Sequence, residues 1–306
     1  MTTRPSKTGM TRQDYRFFHR LRVRWVEVDM QKIVFNGHYL MYLDTAMADY
    51  WRALMLPYES AMRLLEGDMF VKHASVEYHA SARYDDRVDV GLKCSRVGNS
   101  SVVFAGSIFR GDELLISGEL LYVFADPATQ KSKPVPAALR GMFMGFEAGE
   151  AMVDIQVGTW AALSAGAQQV RTEVFVQEQR IPQEMEWDDA DAGAVHALAI
   201  NRLGQPVATG RLLQHPPGKP GIARIGRMAV TRVLRGGSLG RDILQALMQA
   251  AAQRGDHEAS LHAQRSAEGF YSRLGFMRRG EPFEEAGIDH IEMFKPLNIC
   301  ADVPTL

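Results

Sequence analysis

The feature that most constrains this chain is a change of hydrophobic period at residue 36. Residues 16–28 alternate between apolar and polar side chains, which predicts a strand. From Asn36 the apolar residues recur at helical spacing, which predicts one long amphipathic helix that ends before Pro57. The apolar residues on that helix are Leu40, Leu43, Met47, Tyr50, Trp51 and Leu54. Such a helix must bury its apolar face against another layer of structure.

The residues after the helix supply that layer. A short helix is predicted over residues 58–66, and Gly98-Asn99 is a hairpin signal further on. Four strand-like runs cover residues 70–82, 88–97, 101–109 and 114–124. This order predicts an α+β domain whose antiparallel sheet wraps the long helix. Asp44 falls on the apolar face of that helix, where an acid is either hydrogen-bonded in the interior or lines a site.

Composition limits the class of protein. The 306 residues suit two domains, and 46% hydrophobic with 23% charged residues is typical of a globular protein with real cores. A formal net charge of −1 gives no indication of nucleic acid or an anionic membrane as a partner. Residues 1–11 predict a disordered tail rather than a signal peptide, and no apolar run suits a membrane span. Cys94 and Cys300 allow one disulfide, but a reducing cytoplasm is the simpler interpretation, with Cys94 in the core.

Asp29 is the first candidate for chemistry. It precedes a short loop that leads to the predicted helix start at Asn36-Gly37. A helix N-terminus offers unpaired backbone N–H groups and partial positive charge, which polarise a carbonyl group. A carboxylate beside it can attack that carbonyl or activate a water molecule. Taken alone, Asp29 also suits a surface turn, Asn36 an N-cap and His38 an exposed polar position.

The first half resembles the hotdog-fold thioesterases of the 4-hydroxybenzoyl-CoA thioesterase type, over residues 17–146. The matching stretches are residues 22–29, residues 33–39, Tyr42-Leu43-Asp44 and Tyr84-Asp85-Asp86. The resemblance implies hydrolysis of an acyl-CoA thioester, with Asp29 as nucleophile or general base. It implies that the helix N-terminus, Asn36-Gly37-His38-Tyr39, holds the thioester oxygen. The family is built on dimers whose sheets join, which implies a homo-oligomer through this domain.

One position departs from the thioesterase pattern. The family has glycine three residues after the acid, and this chain has Lys32. Glycine permits backbone angles that lysine adopts only at a cost, which predicts a reshaped loop. A pairing of Lys32 with Asp29 would lower the pKa of the carboxyl group, which favours the carboxylate and weakens it as a base.

The second half alternates helices with strands, which predicts an α/β domain. Helices are predicted over residues 160–179, from residue 241 onward and over 267–274, and strands over 195–201, 207–214, 223–230, 259–263 and 291–295. At one strand-to-helix turn stands Arg235-Gly236-Gly237-Ser238-Leu239-Gly240. Its glycines let backbone N–H groups face outward, and the helix start adds its dipole, which suits a pyrophosphate. Taken alone, a glycine-rich run of this kind is as consistent with an ordinary turn as with an anion site.

This half resembles the GNAT acetyltransferases over residues 153–297. The matching pieces are residues 226–230, the 235–240 turn and residues 268–276; residues 174–179 and 287–291 resemble the ElaA-like subgroup. The resemblance implies that the backbone of Met228, Ala229 and Val230 pairs with the pantetheine amides of CoA. It implies that the turn from Arg235 to Gly240 holds the pyrophosphate. Tyr271 would be the general acid that protonates the leaving CoA thiolate.

Each of these roles has a structural alternative. Tyr271 also suits a core aromatic residue, and Met228 suits the core of a strand. Ser238 stands where the family has Gly or Ala, but it keeps its backbone N–H, which predicts a modest effect. The base that deprotonates the amine acceptor is not identified, and its candidates are Glu186, Asp188 and His290. No Cys/His cluster has metal-ligand spacing, so neither a metal nor a tightly bound cofactor is predicted.

Together these patterns predict an α+β protein with a hotdog domain over residues 12–147 and a GNAT domain over residues 152–298. We expect an enzyme that hydrolyses acyl-CoA thioesters and transfers an acetyl or acyl group from CoA to an unknown amine. Its substrates would be acyl-CoA and acetyl-CoA. Under the alternative, one domain is a non-catalytic acyl-CoA sensor or scaffold for the other. Lys32 and Ser238, which both lie in motif loops, motivate that alternative.

Overall fold

The computed structural model describes residues 10–215, 220–285 and 287–297. The chain divides into two compact units, one on each side of the bond between Met152 and Val153. Residues 1–9 of the tail expected over residues 1–11, and the second cysteine, Cys300, lie outside the described residues. In the described ranges no helix is both long and apolar enough to cross a membrane.

The first unit is a five-stranded antiparallel sheet with a long helix, as predicted. The strand order is β1-β3-β4-β5-β2. The strands are β1 (Phe17–Arg22), β2 (Asp68–Tyr78), β3 (Arg87–Val97), β4 (Ser101–Arg110) and β5 (Glu113–Ala125). The helices are α1 (Asn36–Ala53), α2 (Tyr58–Leu64) and α3 (Ala137–Ala148).

Helix α1 packs closely on the sheet through its apolar face. Its buried residues are Tyr39, Tyr42, Leu43, Ala46, Met47, Tyr50 and Trp51. Gly106 in β4 allows this approach, because a Cβ atom at that position would lie 2.5 Å from Leu43 Cδ2. Asp44 is exposed, so the alternative that this acid is hydrogen-bonded in the interior is wrong, and the alternative that it lines a site stays a prediction.

The chain between β1 and α1 differs from the prediction. The strand expected over residues 16–28 ends at Arg22, and Trp25–Glu27 form a 3-10 turn, so Asp29 does not end a strand. The turn forms because the Glu27 carboxylate accepts a hydrogen bond from the Arg24 N–H at 2.7 Å. Asn36 is not the N-cap of α1: Phe35 holds that position.

The second unit is a seven-stranded sheet in the order β11-β12-β10-β9-β8-β7-β6. Strands β9 and β10 run parallel, and the other neighbours run antiparallel. The strands are β6 (Val153–Thr159), β7 (Val195–Asn201), β8 (Pro206–Leu212), β9 (Ile222–Val230), β10 (Glu258–Gln264), β11 (Met277–Glu285) and β12 (Ile288–Pro296). The helices are α4 (Trp160–Arg171), α5 (Gln183–Glu186), α6 (Ala190–Gly193), α7 (Leu239–Gln253) and α8 (Glu268–Arg273).

The helix predicted over residues 160–179 changes type halfway. It is α-helical to Arg171 and then π-helical over Thr172–Glu178. Gln179 N–H donates to Val174 O at 3.1 Å, which is the i→i−5 bond of a π-helix. Hydrophobic spacing does not reveal this change, and π-helices are frequent at functional sites.

Strands β9 and β10 pair over a short stretch and then separate. Their last paired residues are Ile225 and Leu261. Strand β9 also carries one extra residue against β8, because Thr209 and Arg211 pair with Ala229 and Gly226. The separation leaves the second half of β9 without a ladder to β10 in the described chain, and so opens a gap in the sheet.

Candidate active sites

Asp29 lies in a tight turn before α1. Its N–H donates to Ile33 O, and its own carbonyl accepts from Lys32 N–H, both at 2.9 Å. Carboxylate oxygen Oδ1 accepts a hydrogen bond from Gln31 N–H at 2.8 Å. Oxygen Oδ2 has no hydrogen-bond partner among the described residues. One oxygen of the half-buried carboxylate is therefore held in place while the other is free for chemistry.

Lys32 adopts the backbone conformation that glycine favours. Its φ angle is +61°, in the left-handed region. An L-residue in that region costs about 1–2 kcal/mol, so this turn carries strain. The predicted pairing of Lys32 with Asp29 is not found in the described part of the chain, where Asp29 instead bonds to a backbone N–H.

Glu27 is a site residue that the sequence pattern does not single out. Its side chain is buried, with the residue 2% exposed. The carboxylate accepts hydrogen bonds from the Arg24 guanidinium and the Tyr42 hydroxyl, both at 2.8 Å, and its backbone carbonyl accepts from Phe35 N–H at 2.9 Å. Burial raises the pKa of Glu27, but the bonds from Arg24 and Tyr42 outweigh it and the net pKa is lowered. Through these contacts Glu27 connects Arg24, before the Asp29 turn, and Phe35, after it, to Tyr42 of α1.

The N-terminus of α1 is open at its first two residues. Asn36 and Gly37 are exposed, and the first N–H groups of a helix have no intrahelical acceptor. His38 is half-buried, with Nδ1 3.3 Å from Met41 Sδ. Tyr39 is in the core, where its hydroxyl accepts from Ala82 N–H at 2.9 Å. The structure thus leaves the backbone of Asn36-Gly37 available and gives the Tyr39 side chain a packing role.

The first unit also has an open cleft of about 560 Å³. It is lined by residues of β2, β5 and the segment that follows β5, together with Ser100 in the turn before β4. None of the predicted site residues lines it. The chemical groups expected for hydrolysis therefore lie in the Asp29 turn and at the start of α1, and not in this cleft.

In the second unit, Met228, Ala229 and Val230 lie along the gap between β9 and β10. On one side Ala229 and Val230 pair with Thr209 and Ala208 of β8. On the other side no ladder to β10 continues past Ile225 in the described chain. Among the described residues this segment therefore has no strand partner on the gap side, where Val230 O accepts a hydrogen bond from Arg235 Nε and Met228 remains outside a ladder.

The glycine-rich turn leads from β9 into α7. Gly236 has a φ of +87°, and α7 begins at Leu239 with Ser238 as N-cap and no side-chain cap bond. The Arg235 guanidinium makes two 2.7 Å bonds to the Glu178 carboxylate, and its Nε donates to Val230 O. The bond from Arg235 lowers the pKa of Glu178. Because the Arg235 guanidinium is already paired with Glu178, the backbone N–H groups of the turn are the main donors available to bind an anion.

Side chains of the π-helix contact the ends of both separating strands. Glu178 bonds to Arg235 beyond β9, and Thr231 donates to Glu173 at 3.4 Å. Gln264, the last residue of β10, donates to the Gln179 side chain at 3.1 Å. The π-helical segment therefore borders the gap at its open end.

Tyr271 lies on α8 and is 7% exposed. Its ring contacts Phe270 and Phe276 at centroid distances of 4.9 and 5.9 Å. Burial raises its pKa to about 12, so the phenol stays protonated at neutral pH. Its hydroxyl has no hydrogen-bond partner within the described ranges. A protonated hydroxyl with a free O–H is what a general acid requires.

Two of the predicted base candidates are engaged in ion pairs. Glu186 is 1% exposed and accepts from Arg171 Nε at 2.5 Å, and burial raises its pKa despite that arginine. Asp188 accepts from Arg211 at 2.6 and 3.0 Å. Burial raises the pKa of Asp188, but Arg211 outweighs it, so the net pKa is lowered. Neither carboxylate has the freedom expected of a base in the acceptor site.

Comparison with known families defines the class of protein. Residues 31–117 match the family model described as the Thioesterase superfamily, and residues 161–297 match the Acetyltransferase (GNAT) domain. Both resemblances noted in the sequence are thereby confirmed. The molecule joins a thioesterase-superfamily domain to an acetyltransferase domain, two classes whose chemistry is thioester hydrolysis and acyl transfer.

Through its second half the chain belongs to the GNAT acetyltransferase family. The uncharacterized N-acetyltransferase YjcF of Bacillus subtilis is 35% identical over 127 residues, which are 41% of this chain and 87% of the relative. Among solved structures, Escherichia coli ElaA is 27% identical, with a TM-score of 0.43, and the match covers 47% of this chain and 99% of ElaA. The 1,4-dihydroxy-2-naphthoyl-CoA thioesterase Slr0204 of Synechocystis is 18% identical, with a TM-score of 0.39, over 42% of this chain and 95% of Slr0204.

Proposed function

We propose that the chain is bifunctional: its first unit hydrolyses acyl-CoA thioesters, and its second transfers an acetyl or other acyl group from CoA to an amine. The observation that carries this proposal is shared by the two units. In each, a reactive side chain with a free atom, Asp29 Oδ2 or the Tyr271 hydroxyl, accompanies a helix start with open backbone N–H groups. The substrates are acyl-CoA and acetyl-CoA, with no tightly bound cofactor.

In the first unit, the N–H groups of Asn36 and Gly37 would hold the thioester oxygen, with His38 and Tyr39 completing the helix start. Asp29 then attacks the carbonyl carbon or removes a proton from the water that does so. The C–S bond breaks, CoA leaves as its thiol, and the acyl group ends as a carboxylic acid. Where Asp29 is the nucleophile, water then hydrolyses the acyl–Asp29 anhydride, which releases that acid and restores the Asp29 carboxylate. Charge that develops on the oxygen is stabilised by the helix N-terminus.

In the second unit, the pantetheine amides would pair with the backbone of Met228-Ala229-Val230 along the gap. The pyrophosphate would bind to the turn from Arg235 to Gly240. This turn forms the N-terminus of α7, where backbone N–H groups can donate to an anion. The amine attacks the thioester carbonyl, the C–S bond breaks, and Tyr271 protonates the CoA thiolate. The raised pKa of Tyr271 supports this role because it keeps the proton in place until the thiolate forms.

We also propose that the first unit assembles into a homo-oligomer. Large apolar side chains around the Asp29 turn are exposed, among them Trp25 at 72%, Met30 at 100% and Phe35 at 52%. An apolar surface of this kind is typical of a protein–protein contact. The cytoplasm is the proposed location, since the buried free thiol of Cys94 fits a reducing compartment.

The hydrolytic half is tested by Asp29→Asn, which keeps the shape of the side chain and removes its charge. Thiol release from acyl-CoA of graded chain length is expected to fall by about 100-fold or more. Asp112→Asn is the matched control, because Asp112 is fully exposed in the turn between β4 and β5. Equal activity of wild type and Asp29→Asn would refute the role of Asp29. Tight acyl-CoA binding without thiol release by wild type would favour the sensor function instead.

The acetyl-CoA site is tested by Arg235→Glu, which places a second carboxylate beside Glu178 at the glycine-rich turn. We expect acetyl-CoA binding to be lost in isothermal titration calorimetry. Arg202→Glu makes the same charge change on the exposed β7–β8 turn and should bind normally. Unchanged affinity of Arg235→Glu would argue against a pyrophosphate at this turn.

A further inference from the structure

His290 lies on the polar face of the sheet beside the gap. It is on β12, where it pairs across the strand with Gln264, the last residue of β10. Facing residues of paired antiparallel strands point to the same side of the sheet, so His290 shares a face with Gln264. That glutamine bonds to Gln179, the residue that directly follows the π-helix at the border of the gap. The imidazole thus stands one strand away from the place where β9 and β10 separate.

The hydrogen bonding of His290 defines which nitrogen is free. Nδ1 lies 2.7 Å from Ile288 O, and because a carbonyl only accepts, Nδ1 must carry the proton. In the neutral ring the other nitrogen, Nε2, is then an acceptor, and it has no partner among the described residues. The ring stacks on Phe283, with centroids 6.0 Å apart and planes at 22°, which holds its orientation. The residue is 9% exposed.

A second histidine on this face, His262, is fully engaged. His262 lies 2.9 Å from the Glu285 carboxylate through Nδ1, and its Nε2 lies 2.6 Å from Arg224. Burial lowers the pKa of His262 although Glu285 opposes this. Its nitrogens are thus both occupied. Since Glu186 and Asp188 are held in ion pairs, His290 is the base candidate that keeps a free acceptor atom.

We propose that His290 Nε2 is the general base that takes the proton from the acceptor, a primary amine, as it attacks the acyl thioester. This inference rests on the proposed acyl transfer in the second unit. The amine nitrogen forms the C–N bond while the C–S bond breaks. The proton lost by nitrogen goes to His290, and the CoA thiolate takes the proton of Tyr271. Exchange with water restores both side chains, so the products are one amide and one thiol.

The first test compares His290→Gln with wild type in the full chain. The probes are acetyl-CoA and three primary amines: benzylamine, ethanolamine and Nα-acetyl-lysine. We expect amide formation to fall by about 100-fold or more, the usual contribution of a general base, with acetyl-CoA affinity unchanged in calorimetry. Asp289→Asn, an exposed neighbour, should remain fully active. Equal transfer by His290→Gln and wild type would overturn the inference while leaving the proposed acyl transfer intact.

A wild-type protein that acetylates none of the amines would instead count against the proposed acyl transfer and against the inference that rests on it.

A second measurement does not depend on turnover. Long-range ¹H–¹⁵N spectra of histidine-labelled wild type report which ring nitrogen carries the proton, and the His290→Gln spectrum assigns the signal. We expect the Nδ1–H form. The Nε2–H form would overturn the inference, because no lone pair would then face the amine. Where His290→Gln fails to fold, His290→Asn, whose amide can still donate to Ile288 O, assigns the signal instead.

Discussion

The two candidate sites both use a helix N-terminus, but they support it differently. At α1 the reactive turn is fixed by buried contacts, above all the Glu27 carboxylate with Arg24 and Tyr42. At α7 the glycine-rich turn is supported by a half-exposed ion pair of Arg235 with Glu178. The first site therefore depends on particular buried side chains, whereas the second depends on backbone groups and tolerates side-chain changes that leave the Arg235–Glu178 pair in place.

The two sites also differ in where the reactive group lies. Tyr271 is buried among aromatic rings of its own unit. Asp29 stands in a turn whose apolar neighbours, Trp25 and Met30, are exposed. The acid of the second site is therefore shielded within its own unit, and the first site borders a surface open to further contacts.

The largest expected effect separates the two activities. Tyr271→Phe keeps the ring packing and removes the proton that the thiolate would take. Amide formation from acetyl-CoA should fall by about 100-fold or more, with acyl-CoA hydrolysis by the first unit unchanged. Because burial raises the pKa of Tyr271 to about 12, wild type should not lose activity through its ionisation between pH 7 and 10. Transfer by Tyr271→Phe at the wild-type rate would remove Tyr271 from the mechanism.

The second prediction concerns the support of the Asp29 turn. Glu27→Gln removes the charge that accepts the bonds from Arg24 and Tyr42, and a hydrogen bond to a charged group is worth about 1.5–3 kcal/mol. We expect the first unit to lose about that much stability in urea unfolding and its thioesterase rate to fall with it. Glu59→Gln, in an exposed i,i+4 pair on α2, should cost about 0.5 kcal/mol or less. A loss no larger than that control would mean that Glu27 does not brace the turn.

Glu27 also gives the first unit a pH dependence of known sign. Its pKa is lower in the folded state than its ordinary value of 4.5. A lowered carboxyl pKa contributes stability that is complete above the ordinary value and is lost as the pH falls through the folded one. Wild type should therefore lose stability below about pH 4.5 more steeply than Glu27→Gln in the same unfolding measurement. Parallel curves for the two proteins would contradict this.

A smaller effect is expected at Lys32, in the same turn. Lys32→Gly relieves the left-handed strain but adds freedom to the unfolded chain, for a net gain of about 0.5–1 kcal/mol. The thermal transition of the first unit should rise by about 1–4 °C in calorimetry. Lys131→Gly is the control, since Lys131 has an ordinary backbone and the change should not stabilise it. A drop in stability for Lys32→Gly would show that the lysine side chain, not its backbone, matters there.

The smallest effect is expected at the second site. Ser238 makes no side-chain cap bond, so Ser238→Ala leaves the N–H groups of the turn unchanged. Acetyl-CoA affinity in calorimetry should stay within about twofold of wild type, a difference of about 0.4 kcal/mol. A tenfold loss would show that the serine hydroxyl contacts the ligand and that the turn does not act through its backbone alone.

Much of the fold can be predicted from the sequence because the central elements are well buried. The helical period of α1 follows from burial of one face, and the apolar runs of β3 and β4 follow from burial on both faces. Strands β6 and β11 are missed because they lie at the edges of their sheet and are largely exposed, which leaves little hydrophobic pattern. Strand β11 also contains Pro282 near a register shift, which weakens the signal further.

The candidate sites are less predictable than the fold because long-range contacts decide them. In sequence, Glu27 is an ordinary acid two residues from Asp29, and its neighbours do not reveal the bond to Tyr42, 15 residues away, that buries it against α1. Glu186 and Asp188 look like free acids until the chain brings Arg171 and Arg211 against them. The turns that contain the motifs can be recognised from local sequence patterns. The hydrogen bonds and ion pairs of each ionisable group depend on contacts between distant segments.

The π-helix has a consequence for how this chain can change over evolutionary time. A π-helical stretch holds more residues per turn than an α-helix, so deletion of one residue restores ordinary winding. Each residue of an α-helix turns the chain by about 100°, so a deletion before Glu178 would swing this side chain away from Arg235. A homologue that is one residue shorter here should therefore also differ at position 235, and such paired changes are a signature to seek in related genomes.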